Sequence, residues 1–332
     1  MNPKPSEQRL EQIRQEAAVR GAVAGNGVDV AGGPIPRQPG YYGQPVVKPP
    51  VWTWEIPIYL FIGGLAGMSA IIAAAAGIFG HSDVARAALW LAAGGVIISP
   101  MLLIADLGRP LLFINMLRVF KPQSAMSMGV WILTFFSASV APGWIVFELH
   151  RAHAFSGSAD QILHVLATVF VAASAMFGML LATYTGVLFG ATAIPAWFLH
   201  RIQLPIHFGI AGLGSAVAIL ELLGHRIAAL NMLGLFSAAA ETVLAIWLTI
   251  DRHGPADSAC HHGASGWTIR LGGLFSGPAS LILRFLGLIP MAAICFVIGA
   301  LISRFGWSAA GKLSGRDPVA VFSSQGSVPT MR

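Results

Sequence analysis

Charged side chains make up only 10% of the 332 residues, while 55% are hydrophobic. A soluble domain carries roughly a quarter of its residues as Asp, Glu, Lys and Arg, so a water-soluble globule is excluded. Cysteine occurs twice, at Cys260 in a loop and Cys295 inside an apolar run. Two such cysteines cannot ligate an iron–sulfur cluster, and bridging them would need movement out of the bilayer. No phosphate-binding glycine motif is present. No basic tract interleaved with aromatics is present either, so nucleic acid is not an expected partner. The first 50 residues are polar and rich in Pro, Gly and Gln. They offer no cleavable signal peptide, and the first spanning helix is expected to serve as the insertion signal. The net charge of +6 suits contact with anionic lipid headgroups.

What is abundant is long apolar sequence. About 20 apolar residues cross a bilayer as a helix, whereas barrel strands alternate and are about half as long. Seven runs qualify, at residues 54–78, 87–105, 128–149, 161–189, 199–224, 228–250 and 286–303. An eighth, near 266–284, is weakened by Arg270, Arg284 and several glycines, and is expected to cross or to lie in the interface. The segment Pro57–Gly67 resembles Pro205–Ser215, and the helices that follow end in Asp106-Leu-Gly-Arg-Pro110 and Asp251-Arg-His-Gly-Pro255. The expected fold is therefore all-α and integral to the membrane, with two four-helix bundles related by an internal repeat. The divisions are a polar arm at 1–50, a first bundle at 51–190, a second at 191–309 and a polar tail at 310–332. Small residues at Gly63 and Gly67, and at Ala211 and Ser215, are spaced for close helix approach.

Counting crossings puts most of the polar chemistry on the face where the first helix begins, here side A. Glu55, Tyr59, Asp106, Arg109, Asn115, Arg118, Lys121, Ser127, Tyr184, His200, Arg201 and His207 all fall there. Glu55 and Tyr59 are four residues apart and share a helix face. They either exchange protons and hydrogen bonds with a lipid-soluble headgroup or belong to the interfacial belt with Trp52 and Trp54. Asp106 and Arg109 read equally as a salt bridge or as ligand contacts, with Pro110 ending the helix. Arg118 and Lys121 read as surface residues facing phospholipid or an acidic partner. Ser124 or Ser127 is expected to cap the next helix. Glu148 and Glu221 fall near the opposite face, side B, and read as hydrated. Glu241 lies inside a helix, where a carboxylate is costly unless protonated or paired, and so becomes a candidate for a proton path. His164 and His207 differ in depth, which disfavours a bis-histidine haem. The run Cys260-His-His262 has no second half and assigns no metal site.

The residues that carry a family resemblance are Trp54-Glu-Ile-Pro-Ile-Tyr-Leu-Phe-Ile-Gly-Gly-Leu-Ala-Gly67, the Asp106–Pro110 helix end, Asn115–Pro122 and Met126–Trp131. Tyr184–Leu188, Thr192–Trp197 and Gly315–Val319 extend it over most of residues 41–320. The chain resembles the NrfD/PsrC-like membrane subunits of polysulfide-reductase-type molybdoenzyme complexes. Ala125 and Gly190 depart from the family pattern. The resemblance implies a quinone (menaquinone or ubiquinone) as bound substrate, with no haem or iron–sulfur cluster in this chain. It implies Glu55 and Tyr59 as headgroup contacts, with Asp106 and Arg109 lining or stabilising that site; Glu55 and Asp106 are expected to carry the protons, and Tyr59, Arg109 and Tyr184 to bind the quinone. It also implies docking of a ferredoxin-like iron–sulfur subunit on Asn115, Arg118, Lys121 and Ser127, and beyond it a molybdopterin-type catalytic subunit.

The expected function is thus a quinone-reactive, multi-pass subunit of an inner-membrane oxidoreductase. Lys and Arg counts favour a cytoplasmic side A, whereas the resemblance puts that side outward; because binding residues are poor topology votes, outward is preferred. A transporter or ion-translocating subunit is the alternative and would require a discontinuous helix at mid-depth. A passive anchor is the third reading.

Overall fold

The computed structural model describes residues 47–48, 52–106 and 113–326. The expected N-terminal arm, Arg109 and Pro110 lie outside the described residues, except for Val47 and Lys48 of the arm. In chain order the helices are α1 Glu55–Ile78, α2 Ser82–Asp106, the short α3 Phe113–Leu117, α4 Ala125–Arg151, α5 Ser158–Gly190 and the short α6 Pro195–Leu199. They continue with α7 Gln203–Leu222, α8 Ala228–Ile250, α9 Ser258–His261, α10 Gly263–Leu274, α11 Ser280–Phe285, α12 Ile289–Arg316 and α13 Pro318–Gly326. No strand occurs among the described residues. Seven of these helices are long and apolar enough to cross a membrane. This is an all-α integral membrane protein.

Helices α1 and α7 are central, with most of their length buried, while α2, α5 and α8 keep most of theirs open to lipid. Glycine sets this order. A Cβ on Gly67 would lie 2.3 Å from the Gly178 carbonyl oxygen of α5, and one on Gly212 would lie 2.8 Å from that of Gly64. Backbones this close are held by dispersion contact, which in lipid replaces the hydrophobic drive between helices. Gly63, the other half of the expected small-residue pair, has ordinary room instead.

The weak eighth run is helical but broken. Its two pieces, α10 and α11, meet at a π-helical turn, Phe275–Ala279, where Gly277 leaves helical geometry and Pro278 supplies no N–H. The pieces run antiparallel to α12: Ile269 packs at Gly306, Gly272 at Ser303, Ser276 at Gly299, and Ser280 donates to the Ala292 carbonyl at 3.0 Å. Helix α12 itself continues to Arg316, past the apolar run that ends near 303, and α13 buries Ala320 and Val321. Trp197 ties α5 to α12. Its indole donates to the Trp307 carbonyl at 2.8 Å and stacks on Phe189 at 4.2 Å.

Two acids expected to be hydrated are paired instead. Glu148 accepts from Arg86 and from the Trp90 indole, each at 2.8 Å. Glu221 is buried and takes a bidentate pair of bonds from Arg284 at 2.9 and 2.6 Å. Asn231 accepts a third bond from that guanidinium, and the bare Gly234 leaves room for it. The arginine that weakened the eighth run is thereby neutralised inside the protein.

These two ion pairs differ in burial, so their removal should differ in cost. Glu221→Ala strands a buried guanidinium and is expected to cost about 3–5 kcal/mol. Glu148→Ala breaks a pair whose arginine is 45% exposed and should cost about 1 kcal/mol or less. Thermal unfolding in detergent compares them directly, and equal shifts in Tm would contradict the assignment.

Candidate functional site

At side A the ends of α1, α2, α4 and α5 enclose a cavity of about 120 Å³. Tyr59, Asp106 and Tyr184 line it together with Trp52, Gly129 and the apolar Ile56, Leu103 and Met126. Each polar residue reaches the cavity for a local reason. Tyr59 lies one turn into α1, Asp106 is the last described residue of α2, and Tyr184 sits two turns before the end of α5. The Tyr184 hydroxyl donates to the Ala125 carbonyl at the start of α4, which leaves its oxygen lone pairs as acceptors. Gly129 makes space for that ring: a Cβ there would meet the Tyr184 phenol at 2.2 Å. The Tyr59 hydroxyl has no hydrogen-bond partner among the described residues.

Glu55 does not line the cavity. It reaches it through Thr53, a residue the sequence reading passed over. The Thr53 hydroxyl contacts the Glu55 carboxyl and lies 3.1 Å from Asp106 Oδ1, and the Thr53 N–H donates to that same oxygen at 3.4 Å. Thr53 thus stands between the Glu55 and Asp106 carboxyls. Arg109 lies outside the described residues.

The loop between α2 and α4 presents Asn115, Arg118 and Lys121 at its surface beside exposed Ile114, Val119, Phe120 and Met126. Ser127 differs in kind. Its hydroxyl accepts from the Lys121 N–H at 3.0 Å and donates to the Val119 carbonyl at 3.3 Å, so it braces the loop from inside. Ser124 caps α4, accepting from the Ser127 N–H at 3.4 Å.

A second polar assembly lies deeper, among α7, α8, α10 and α12. His207 Nδ1 stands 3.0 Å from a Glu241 carboxylate oxygen, and His207 Nε2 lies 2.7 Å from Ser303 Oγ. Ser276, at the helix break, donates to Glu241 at 3.3 Å. The fully buried Arg304 donates to the Phe208 carbonyl at 3.0 Å and covers the Phe208 ring. A cavity of about 280 Å³ runs past His207, Glu241 and Ser303 toward Gln203, Cys260 and His261. Helix α7 therefore presents His207 to this group and not to the first cavity.

At the side A end of that cavity, Gln203 bonds His200 Nδ1 at 2.8 Å and Asp251 at 3.0 Å. Asp257 accepts from the His253 N–H at 2.9 Å and lies 3.1 Å from His261 Nε2. Burial pushes the His200 imidazolium below its ordinary range and the Cys260 thiol above its own, so that thiol stays unreactive. The spacing of His253, Asp257 and His261 at intervals of four was the legible signal for this cluster. The run Cys260-His-His262, which by itself assigned no metal site, contributes His261 to it.

Known proteins add an independent line. The family model described as polysulphide reductase, NrfD, matches residues 44–248, from ahead of α1 nearly to the end of α8. Protein NrfD of Escherichia coli (strain K12) is 29% identical over 188 residues, which cover 51% of this chain and 58% of that relative. The match thus spans a little over half the length of that protein. The family model takes in every helix that walls the side A cavity, and the chain, a multi-pass membrane protein, belongs to the NrfD family.

Proposed function

We propose that this chain exchanges electrons between the quinone pool and an iron–sulfur partner subunit, which is wired in turn to a molybdopterin-type catalytic subunit in the inner membrane. The observation that carries the reading is the convergence of Tyr59, Asp106 and Tyr184 on one cavity at the bilayer edge. A quinol headgroup enters from the lipid and donates one hydroxyl to the free lone pairs of Tyr184. On oxidation it releases two protons and two electrons. Asp106 takes the two protons one after the other at its carboxylate, and Thr53 passes each to Glu55, which is partly exposed and releases it to water before the next. The electrons leave toward the partner bound on Asn115, Arg118, Lys121 and the apolar residues between them.

Positioned acid–base groups are worth about 10²–10⁴ in rate. Asp106→Asn and Thr53→Val are therefore expected to lower quinol-linked turnover about 100-fold, with the complex still assembled on native gels. Wild-type turnover in both would overturn the relay. Gly129→Ala drives a methyl into the Tyr184 phenol, so it should raise the KM for quinol at least tenfold while leaving subunit composition unchanged. A KM equal to the wild type would separate Tyr184 from the site.

One observation favours the ion-translocating reading as a second activity. Glu241 sits mid-helix, hydrogen-bonded to His207 and to Ser276 at a discontinuous helix. Buried carboxylates of this kind mark proton pathways. In liposomes Glu241→Gln should abolish turnover-linked acidification and leave quinol oxidation intact; unchanged acidification assigns the network a structural role.

A further inference from the structure

We infer that His200, His253 and Asp257 form a binding site for a divalent transition-metal ion of the zinc class, at the side A corner where α6, α7 and the loop after α8 meet. Hydrogen-bond direction fixes the ligand atoms. Gln203 Nε2 lies 3.0 Å from Asp251 Oδ2, an acceptor, so the amide nitrogen faces Asp251 and the amide oxygen faces His200. That oxygen can only accept, so His200 Nδ1, at 2.8 Å, carries the hydrogen. His200 Nε2 then presents a lone pair. It is buried with no hydrogen-bond partner and lies 3.9 Å from Asp257 Oδ2.

His253 repeats the pattern from the other side. Its Nδ1 is likewise buried without a partner and lies 3.6 Å from the same Asp257 oxygen. Two imidazole nitrogens without partners thus stand 3.9 and 3.6 Å from one carboxylate oxygen, which the His253 N–H and His261 hold in place, and a cation between them would answer all three. The ligand atoms lie within 4.8 Å of one another. Tetrahedral zinc, with bonds of about 2.0–2.2 Å, asks for separations of roughly 3.3–3.6 Å, so closure takes at most about 1.5 Å of side-chain movement.

The surroundings match what metal ligands need. Gln203 orients His200 through its second nitrogen, and Asp251 Oδ1 stands 3.7 Å from His253 Nε2. Asp257 is held by the His253 N–H and by His261. Two imidazoles and one carboxylate suit zinc, nickel or ferrous iron rather than calcium or magnesium, and they leave a fourth position for solvent. The site belongs to the half of the chain with the deep His207–Glu241 network, and it stands independently of the quinone reading.

The test uses the full chain, with the subunits that accompany it, stripped by chelator in detergent and then dialysed against zinc or cobalt(II). Elemental analysis should find about one ion per chain, and cobalt should give the visible d–d absorption of a low-coordinate nitrogen–oxygen site. His253→Ala and Asp257→Asn, each with its α-helical circular dichroism retained, should lose at least nine-tenths of that metal. No stoichiometric metal in the wild type after exposure to either ion would overturn the site. So would variants that keep the wild-type content.

Discussion

Close passage of α1 against α5 and α7 is the constraint on which everything else rests. Gly67 faces Gly178 and Gly64 faces Gly212, with no side chain between the backbones. Lipid tails are as apolar as any leucine, so burial alone cannot draw helices together in a bilayer. Intimate van der Waals contact between bare backbones can. That contact fixes the rotation of α1 and thereby turns Tyr59 into the side A cavity. It fixes α7 as well, and with it the direction of His207. A methyl group on Gly67 or Gly212 would therefore disturb both polar assemblies before any residue in them was touched.

Within that frame, buried charged side chains among the described residues meet polar or aromatic partners. Arg284 holds Glu221, Glu241 holds His207 and Ser276, and Arg304 lies on the Phe208 ring and carbonyl. Charge at hydrocarbon depth is tolerated only on such terms. The glycines of the broken eighth helix belong to the same solution. Gly277 lets the backbone pass Thr242, and Gly272 and Gly299 let it lie against α12, so Ser276 reaches Glu241. Features that make this segment look unlike a membrane helix are the ones that seat it.

How much could be read beforehand follows from the range of each signal. Helix existence and the shared face of Tyr59, Asp106 and Tyr184 needed only the length of apolar runs and the parity of crossings. Both are local counts. Thr53 escaped because it precedes α1, where no helical period assigns it a neighbour, and its hydroxyl carries no charge to draw notice. Glu221 with Arg284, and His200 with Asp257, join segments 63 and 57 residues apart. Depth in the membrane can be counted along a sequence, but the rotation that decides which side chains meet at that depth cannot. For that reason Glu221 read as hydrated and the histidine cluster as half a motif.

The helix starts compared in sequence meet again in the geometry of their polar ends. Glu55 opens α1 and reaches Asp106, the end of α2, through Thr53; Gln203 opens α7 and reaches Asp251, just past α8, directly at 3.0 Å. Tyr59 and His207 each lie four residues further on, facing a cavity. The difference lies in the chemistry of the opening residue. A carboxyl at 55 can take up and release a proton, so its link to Asp106 can conduct one. An amide at 203 cannot titrate, so its link to Asp251 only holds a shape. On the proposed function the first arrangement moves protons beside the lipid, whereas the second holds His200 in one tautomer with its Nε2 buried and unpartnered. Similar helix openings thus carry a titratable carboxyl in one case and a fixed amide in the other, and the exchange of Glu for Gln is what separates them.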